Sequence, residues 1–446
     1  MTRKFVWFLV GHRYIITYFN FLHSGISMQN ASKPQNFFLA ASPLFLVLFI
    51  DSMGLGLVFP ILNALVFDPN AHFIGAALSE NMRNLVYGLT ISVFMFCWFF
   101  GAAFLGDMSD QIGRKKSLMI CLLGAVVGYT ISALAVLLKS YVVLLFGRII
   151  AGFTAGSQSI AQAAIVDISE PEHKARNLGL ILFFTSLGFV FGPMVGGLLS
   201  DSQLVSWFNY AMPFYFAAGI SLLNALLLYY LFHETFFHVH KIHFKLYHAI
   251  SIFAQAFKDV KIRELSIILL VMIFGWSGFY SFISMYMLRV FHFTPLENGF
   301  YMGVLGMGFG VGTGFLVDIF TKRFSLQRCV IGSCLIVALA TVLTITAPSQ
   351  IYVWFYAFIV GSAMSLAYST ILTLFSNQVD ADSQGWVMGI TGAIMAFAFG
   401  VNGLLVGLLS NFSPETPLII TASSLVLTAI LMKTIFSESN KSEITR

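Results

Sequence analysis

Gly106-Asp-Met-Ser-Asp110-Gln-Ile-Gly113-Arg114-Lys115 separates two apolar runs, residues 85–105 and 117–138. At an offset of 208 residues, Gly314-Phe-Leu-Val-Asp318-Ile-Phe-Thr-Lys322-Arg323 follows another apolar run. Both read Gly-x-(Leu/Met)-x-Asp and close on two basic residues. A second echo joins Asp167…Gly179 to Asn377…Gly389 at an offset of 210. Two echoes at nearly one offset mark an internal repeat, with the second copy degenerate.

Working outward, a membrane-crossing helix needs about 20 apolar residues. Twelve stretches qualify: 38–62, 85–105, 117–138, 141–166, 178–199, 211–232, 265–288, 296–318, 328–347, 350–376, 385–408 and 416–436. The expected fold is all-α, integral to the membrane, with twelve helices in two pseudo-symmetric bundles of six. The expected organisation is a leader (1–36), a first bundle (37–232), a central loop (233–264), a second bundle (265–436) and a tail (437–446). Phe5 to Phe21 reads as an interfacial helix or a poor signal sequence, and Met28 as an alternative start.

Composition agrees. The 446 residues are 58% hydrophobic and only 10% charged, against about 25% charged in soluble proteins. Mean hydropathy is +0.86. This excludes a soluble enzyme, a disordered chain and a nucleic-acid binder. Cys97, Cys121, Cys329 and Cys334 all lie in apolar runs and form neither a disulfide framework nor a zinc spacing.

The net charge of +5 reads as topology. With the N-terminus in the cytoplasm, twenty Lys and Arg fall on the cytoplasmic side and three, Arg83, Lys139 and Arg289, on the other. Both termini and the central loop are then cytoplasmic. That loop carries His233, His238, His240, His243 and His248. Their irregular spacing argues for an interfacial amphipathic linker rather than a metal site.

The motifs resemble those of the major facilitator superfamily. Gly106–Lys115 looks like its signature between spans two and three. Phe146-Gly-Arg148-Ile-Ile-Ala-Gly152-Phe-Thr-Ala-Gly156 looks like its fourth-span motif. Gly188-Phe-Val-Phe-Gly192-Pro193-Met-Val-Gly196-Gly197 looks like the fifth-span motif of proton-driven drug exporters. Asp51-Ser-Met-Gly54-Leu-Gly56-Leu-Val-Phe-Pro60 is similar to tetracycline-efflux proteins and related twelve-span exporters. Some of those carry a coupling histidine in span eight. Here that span reads Gly306-Met-Gly-Phe309-Gly-Val-Gly, a departure that argues against tetracycline and a two-residue proton relay.

Asp51 is the only acid well inside a span, and Arg148 the only base. Such residues are costly in a bilayer and mark pathways or relays. Low dielectric favours a carboxyl's neutral form and a nearby cation its charged form, so Asp51 reads either as a proton carrier or as a capped structural acid. Pairing of Arg148 with Asp51 at comparable depth, or with carbonyls, is expected.

The resemblance implies a latch in which Asp110 faces the start of span eleven near Gly385 and Arg114 pairs with Asp167. Gly106, Gly113 and Asp318 belong to the same signature and its echo. Gly188, Gly192, Pro193, Gly196 and Gly197 read as packing or a hinge. Asn63, Gln158, Gln162, Asn224, Trp276, Tyr280, Tyr368 and Asn402 are candidates for the cavity lining.

The expected function is proton-coupled export of an amphipathic small molecule, with import of a nutrient or siderophore as the alternative. A membrane enzyme would need clustered catalytic groups within spans, and Asp51 and Arg148 alone do not supply them. No cofactor or metal is expected. The expected partners are a small-molecule substrate, protons and the lipid bilayer, the expected state a monomer and the expected site a bacterial inner membrane.

Overall fold

A computed structural model describes residues 37–68, 71–75, 78–170, 173–235, 247–380 and 384–444. Among them are twelve helices long and apolar enough to cross a membrane, and no strands. Spans 1 to 6 are Phe37–Phe67, Glu80–Ile112, Arg114–Leu137, Tyr141–Ile168, Phe183–Ser200 and Met212–Leu231. Spans 7 to 12 are Arg263–Phe291, Pro295–Thr321, Leu326–Ile345, Gln350–Asn377, Trp386–Leu409 and Thr416–Ile435. Leader residues 1–36, where Phe5–Phe21 and Met28 lie, and residues 236–246, with His238, His240 and His243, are outside the described residues.

Several helices overrun their apolar stretches, because backbone hydrogen bonds continue into the polar interface. Span 1 extends to Phe67. Span 2 starts at Glu80, with Ser79 accepting from the Met82 amide at 3.4 Å, and runs to Ile112. The signature stretch is therefore largely helical, and the turn is confined to Gly113. Gly113 has φ of 99°, a left-handed value that favours glycine. Gly106 has open space around it, so it makes no close helix contact here.

Span 4 is broken at Ala155–Gly156 into Tyr141–Thr154 and Ser157–Ile168. Span 8 carries a π-helical segment, Gly312–Leu316, an insertion of the kind often found at functional sites. Large apolar side chains such as Phe146, Leu339 and Phe355 point outward, as expected where lipid is the solvent.

Two seams join the first six spans to the last six. Span 2 lies against span 11 through Gly88, Gly403 and Gly407. Span 5 lies against span 8 through Gly197 and Gly299, where a methyl on Gly197 would sit 2.6 Å from the Pro295 carbonyl. Small residues let the backbones touch. Gly188, Gly192 and Gly196 pack span 5 on span 1 at Phe49, Met53 and Leu57, and the helix continues through Pro193.

Between the halves, Tyr247–Lys258 forms an amphipathic linker helix. Its apolar face packs on protein, which differs from the lipid-facing role read from the sequence. Phe253 meets Phe99 of span 2 (5.9 Å) and Phe397 of span 11 (4.5 Å). Trp386 Nε1 donates to Gln255 Oε1 at 3.2 Å. Cross-half apolar surface was available beneath spans 2 and 11, and burying it satisfies the same face as lipid would.

Candidate functional site

Asp51 lies near the middle of span 1 and is partly buried. Ser157 Oγ donates to its Oδ2 at 2.6 Å. Ser157 opens the second half of span 4, directly after the break at Ala155–Gly156. The Asp51 carboxylate therefore sits beside the first residue of a helical segment, where negative charge is favoured.

Arg148 lies elsewhere. It sits nine positions before Ser157, roughly 13 Å along a helix at about 1.5 Å per residue. It is 3% exposed. Its guanidinium stacks on Phe94 of span 2, 3.9 Å from the ring centre, and its Nε and Nη1 have no hydrogen-bond partner. The expected pairing of Arg148 with Asp51 at comparable depth is therefore not what the structure shows. The reason is geometric: span 1 continues to Phe67, which sets Asp51 farther from its Arg289-side end than Arg148 lies from Tyr141. Tyr129 of span 3 lies within electrostatic reach of both charges, its hydroxyl against Gly54.

Around the interior, aromatic rings from both halves converge on Tyr280. Its ring centre is 5.2 Å from Phe59, 5.5 Å from Trp276, 6.0 Å from Phe189 and 6.4 Å from Phe399. The Tyr280 hydroxyl is buried without a partner. The other cavity candidates sort differently. Asn63 Nδ2 donates to the Ser284 carbonyl (2.7 Å), Asn224 Nδ2 to the Pro43 carbonyl (3.2 Å) and Asn402 Nδ2 to the Phe274 carbonyl (2.8 Å). These three amides staple helices together. Tyr368 Oη contacts Met395 Sδ at 3.9 Å, and Gln158 and Gln162 are partly buried on span 4.

At one end of the bundle, Arg114 binds Asp110 (2.5 Å), Ser109 (2.5 Å) and Asp167 (3.3 Å). Glu234, just after span 6, accepts from the backbone N–H groups of Arg114 (2.8 Å) and Lys115 (3.1 Å). It caps the first turn of span 3. Thr235 reaches Asp167 at 3.4 Å. The sequence reading missed Glu234 as a cap; its signal was an acid immediately after an apolar run. Asp318 pairs locally with Lys322 at 2.7 Å, and both are well exposed. Gly385 is in the first turn of the span 11 helix.

The opposite end is held by bonds between the halves. Arg289 of span 7 donates to Asn84 Oδ1 (2.7 Å), pairs with Glu80 (3.2 Å) and stacks on Phe67 (4.5 Å). Asn84 Nδ2 donates to Asn411 Oδ1 (2.8 Å), and Tyr87 Oη to the Ser281 carbonyl (2.6 Å). A cavity of about 580 Å³ opens beside Arg289, lined also by Phe67, Asp68, Arg83 and His292. It lies well away from Asp51, which sits 16 positions before Phe67 on the same helix.

The family model for the Major Facilitator Superfamily matches residues 44–402. The chain is 27% identical to the tetracycline resistance protein, class C, of Escherichia coli over 372 residues, covering 82% of this chain and 88% of that one. It is 24% identical to the quinolone resistance protein NorA of Staphylococcus aureus, covering 84% and 91%. A partially occluded, inward-open structure of the xylose transporter XylE from E. coli superimposes with a TM-score of 0.70 at 16% identity, covering 89% of this chain and 97% of that one. Twelve spans, a repeat at nearly one offset and a match over most of the length have one account: this chain is a multi-pass membrane protein belonging to the Major Facilitator Superfamily of transporters.

Proposed function

We propose that the protein exports an amphipathic small organic molecule in exchange for protons, by alternating access. The observation that carries this reading is the Asp51 carboxylate, held inside span 1 by one hydroxyl bond from Ser157. A carboxylate with a single neutral partner can exchange a proton without dismantling an ion pair. Relatives named for tetracycline and quinolone resistance support export of drug-like molecules. The aromatic surround of Tyr280 suits an apolar or aromatic body better than a sugar.

In the same reading the Arg289 end faces outward and the Asp110 end faces the cytoplasm, with both termini. Bonds between the halves at the Arg289 end hold the outer side shut. The Asp110–Arg114–Asp167 cluster, with Glu234, is the inner latch, and the packed glycines of span 5 let the halves rock. The protein works as a monomer in a bacterial inner membrane.

The test is ΔpH-driven uptake of a panel of amphipathic dyes into everted vesicles. Wild type should accumulate at least one dye and release protons as it does so. Accumulation only in right-side-out vesicles, with sugars or siderophores as cargo, would replace export by import.

A further inference from the structure

Arg148 is a buried cation, 3% exposed, and forms no ion pair among the described residues. Its Nε and Nη1 have no acceptor. Phe94 covers the guanidinium face at 3.9 Å, but a ring face accepts none of the in-plane N–H groups that form the guanidinium fork. Asp51, the one acid well inside the spans, is engaged by Ser157. A buried charge left without its counter-charge is strongly disfavoured. Whenever Asp51 carries a proton, no acid well inside the spans is left among the described residues to answer the charge of Arg148.

Guanidinium groups bind carboxylates and sulfonates through paired, charge-assisted hydrogen bonds. The surroundings of this one are aromatic and apolar: Phe94 beneath it and Tyr129 nearby. We propose that Arg148 receives the anionic group of the transported molecule, so that the substrate class is organic anions with an apolar or aromatic body. This rests on the transporter reading and deepens it. The ligand's anion and the Asp51 carboxylate become alternative counter-charges, so a protonated Asp51 favours a bound anion.

The experiment uses full-length protein in lipid nanodiscs and two probes sharing one ring system. 1-Anilinonaphthalene-8-sulfonate is an anion, and N-phenyl-1-naphthylamine is uncharged. Wild type should bind the sulfonate about tenfold more tightly, one decade being about 1.4 kcal/mol. Arg148→Gln should abolish that preference and leave the uncharged probe's affinity alone, while Arg148→Lys should keep part of it. Equal affinities in wild type, or a preference surviving in Arg148→Gln, would overturn the proposal.

If Arg148→Gln does not fold, phenylglyoxal labelling of the wild type serves instead. The sulfonate should protect Arg148 from modification, mapped by mass spectrometry, and the uncharged probe should not; protection by neither, or equally by both, rejects the idea. The two readings fail separately. ΔpH-driven accumulation of uncharged dye without any anion preference leaves export standing and removes the Arg148 role. Anion preference without ΔpH-driven movement does the reverse.

Discussion

Asp51 and Ser157 are joined by a 2.6 Å hydrogen bond across spans 1 and 4, while Arg148 stacks on Phe94 about two and a half helical turns away. The acid of this transporter is thus held by a hydroxyl at a helix break. Its protonation leaves that neighbour able to reorient, since a hydroxyl both donates and accepts.

Asp51→Asn keeps a side-chain oxygen for Ser157 and cannot titrate. Its stability should change by about 1 kcal/mol or less, as for one neutral hydrogen bond. Dye binding should persist, and accumulation driven by ΔpH in everted vesicles should be lost. A stable variant that pumps at the wild-type rate would remove Asp51 from coupling.

Ser157→Ala leaves the Asp51 carboxylate without its partner. Loss of that bond should cost about 1–3 kcal/mol, read as a lower midpoint in thermal unfolding. The pH at which transport is half-maximal should move, because the hydroxyl stabilises the charged form.

A side chain on Gly88 would run into the Gly403 carbonyl, whereas Gly106 has open space. Gly88→Val should therefore lower thermal stability by about 1–3 kcal/mol, the range for overpacking. Gly106→Ala should stay within about 0.5 kcal/mol of wild type, as surface changes do. If Gly106→Ala folds normally but fails to transport, its contact belongs to the opposite conformation.

Arg289→Gln removes the ion pair to Glu80 and the stacking on Phe67. The Arg289 end should open more often. In a background without native cysteines, Ser281→Cys should react several-fold faster with a membrane-impermeant thiol reagent when combined with Arg289→Gln. An unchanged rate would show that the glycine seam alone keeps this end shut.

Glu234→Ala strips the cap from two backbone amides of span 3. The expected loss is about 1 kcal/mol, typical of an N-cap. Glu234→Gln, which keeps an acceptor, should recover part of it. Equal unfolding midpoints for wild type and Glu234→Ala would show that the cap contributes nothing to stability.

Twelve spans, the repeat and the even span count were legible in the sequence alone. They follow from runs of apolar residues matched to bilayer thickness and from the placement of Gly106, Asp110 and Arg114 against Gly314, Asp318 and Lys322. The importance of Asp51 and Arg148 was legible too, because a charge inside an apolar run stands out without coordinates. Partnerships were not. That Asp51 meets Ser157 rather than Arg148 depends on where span 1 ends and span 4 breaks, both set by helix packing. Glu234 reaches the first turn of span 3 from 120 positions away, and Arg289 reaches Asn84 across 205. Local pattern carries no record of such distances. Linear periodicity reports how each helix meets lipid, whereas the polar groups inside are satisfied by whichever neighbour the tertiary fold brings within about 3 Å.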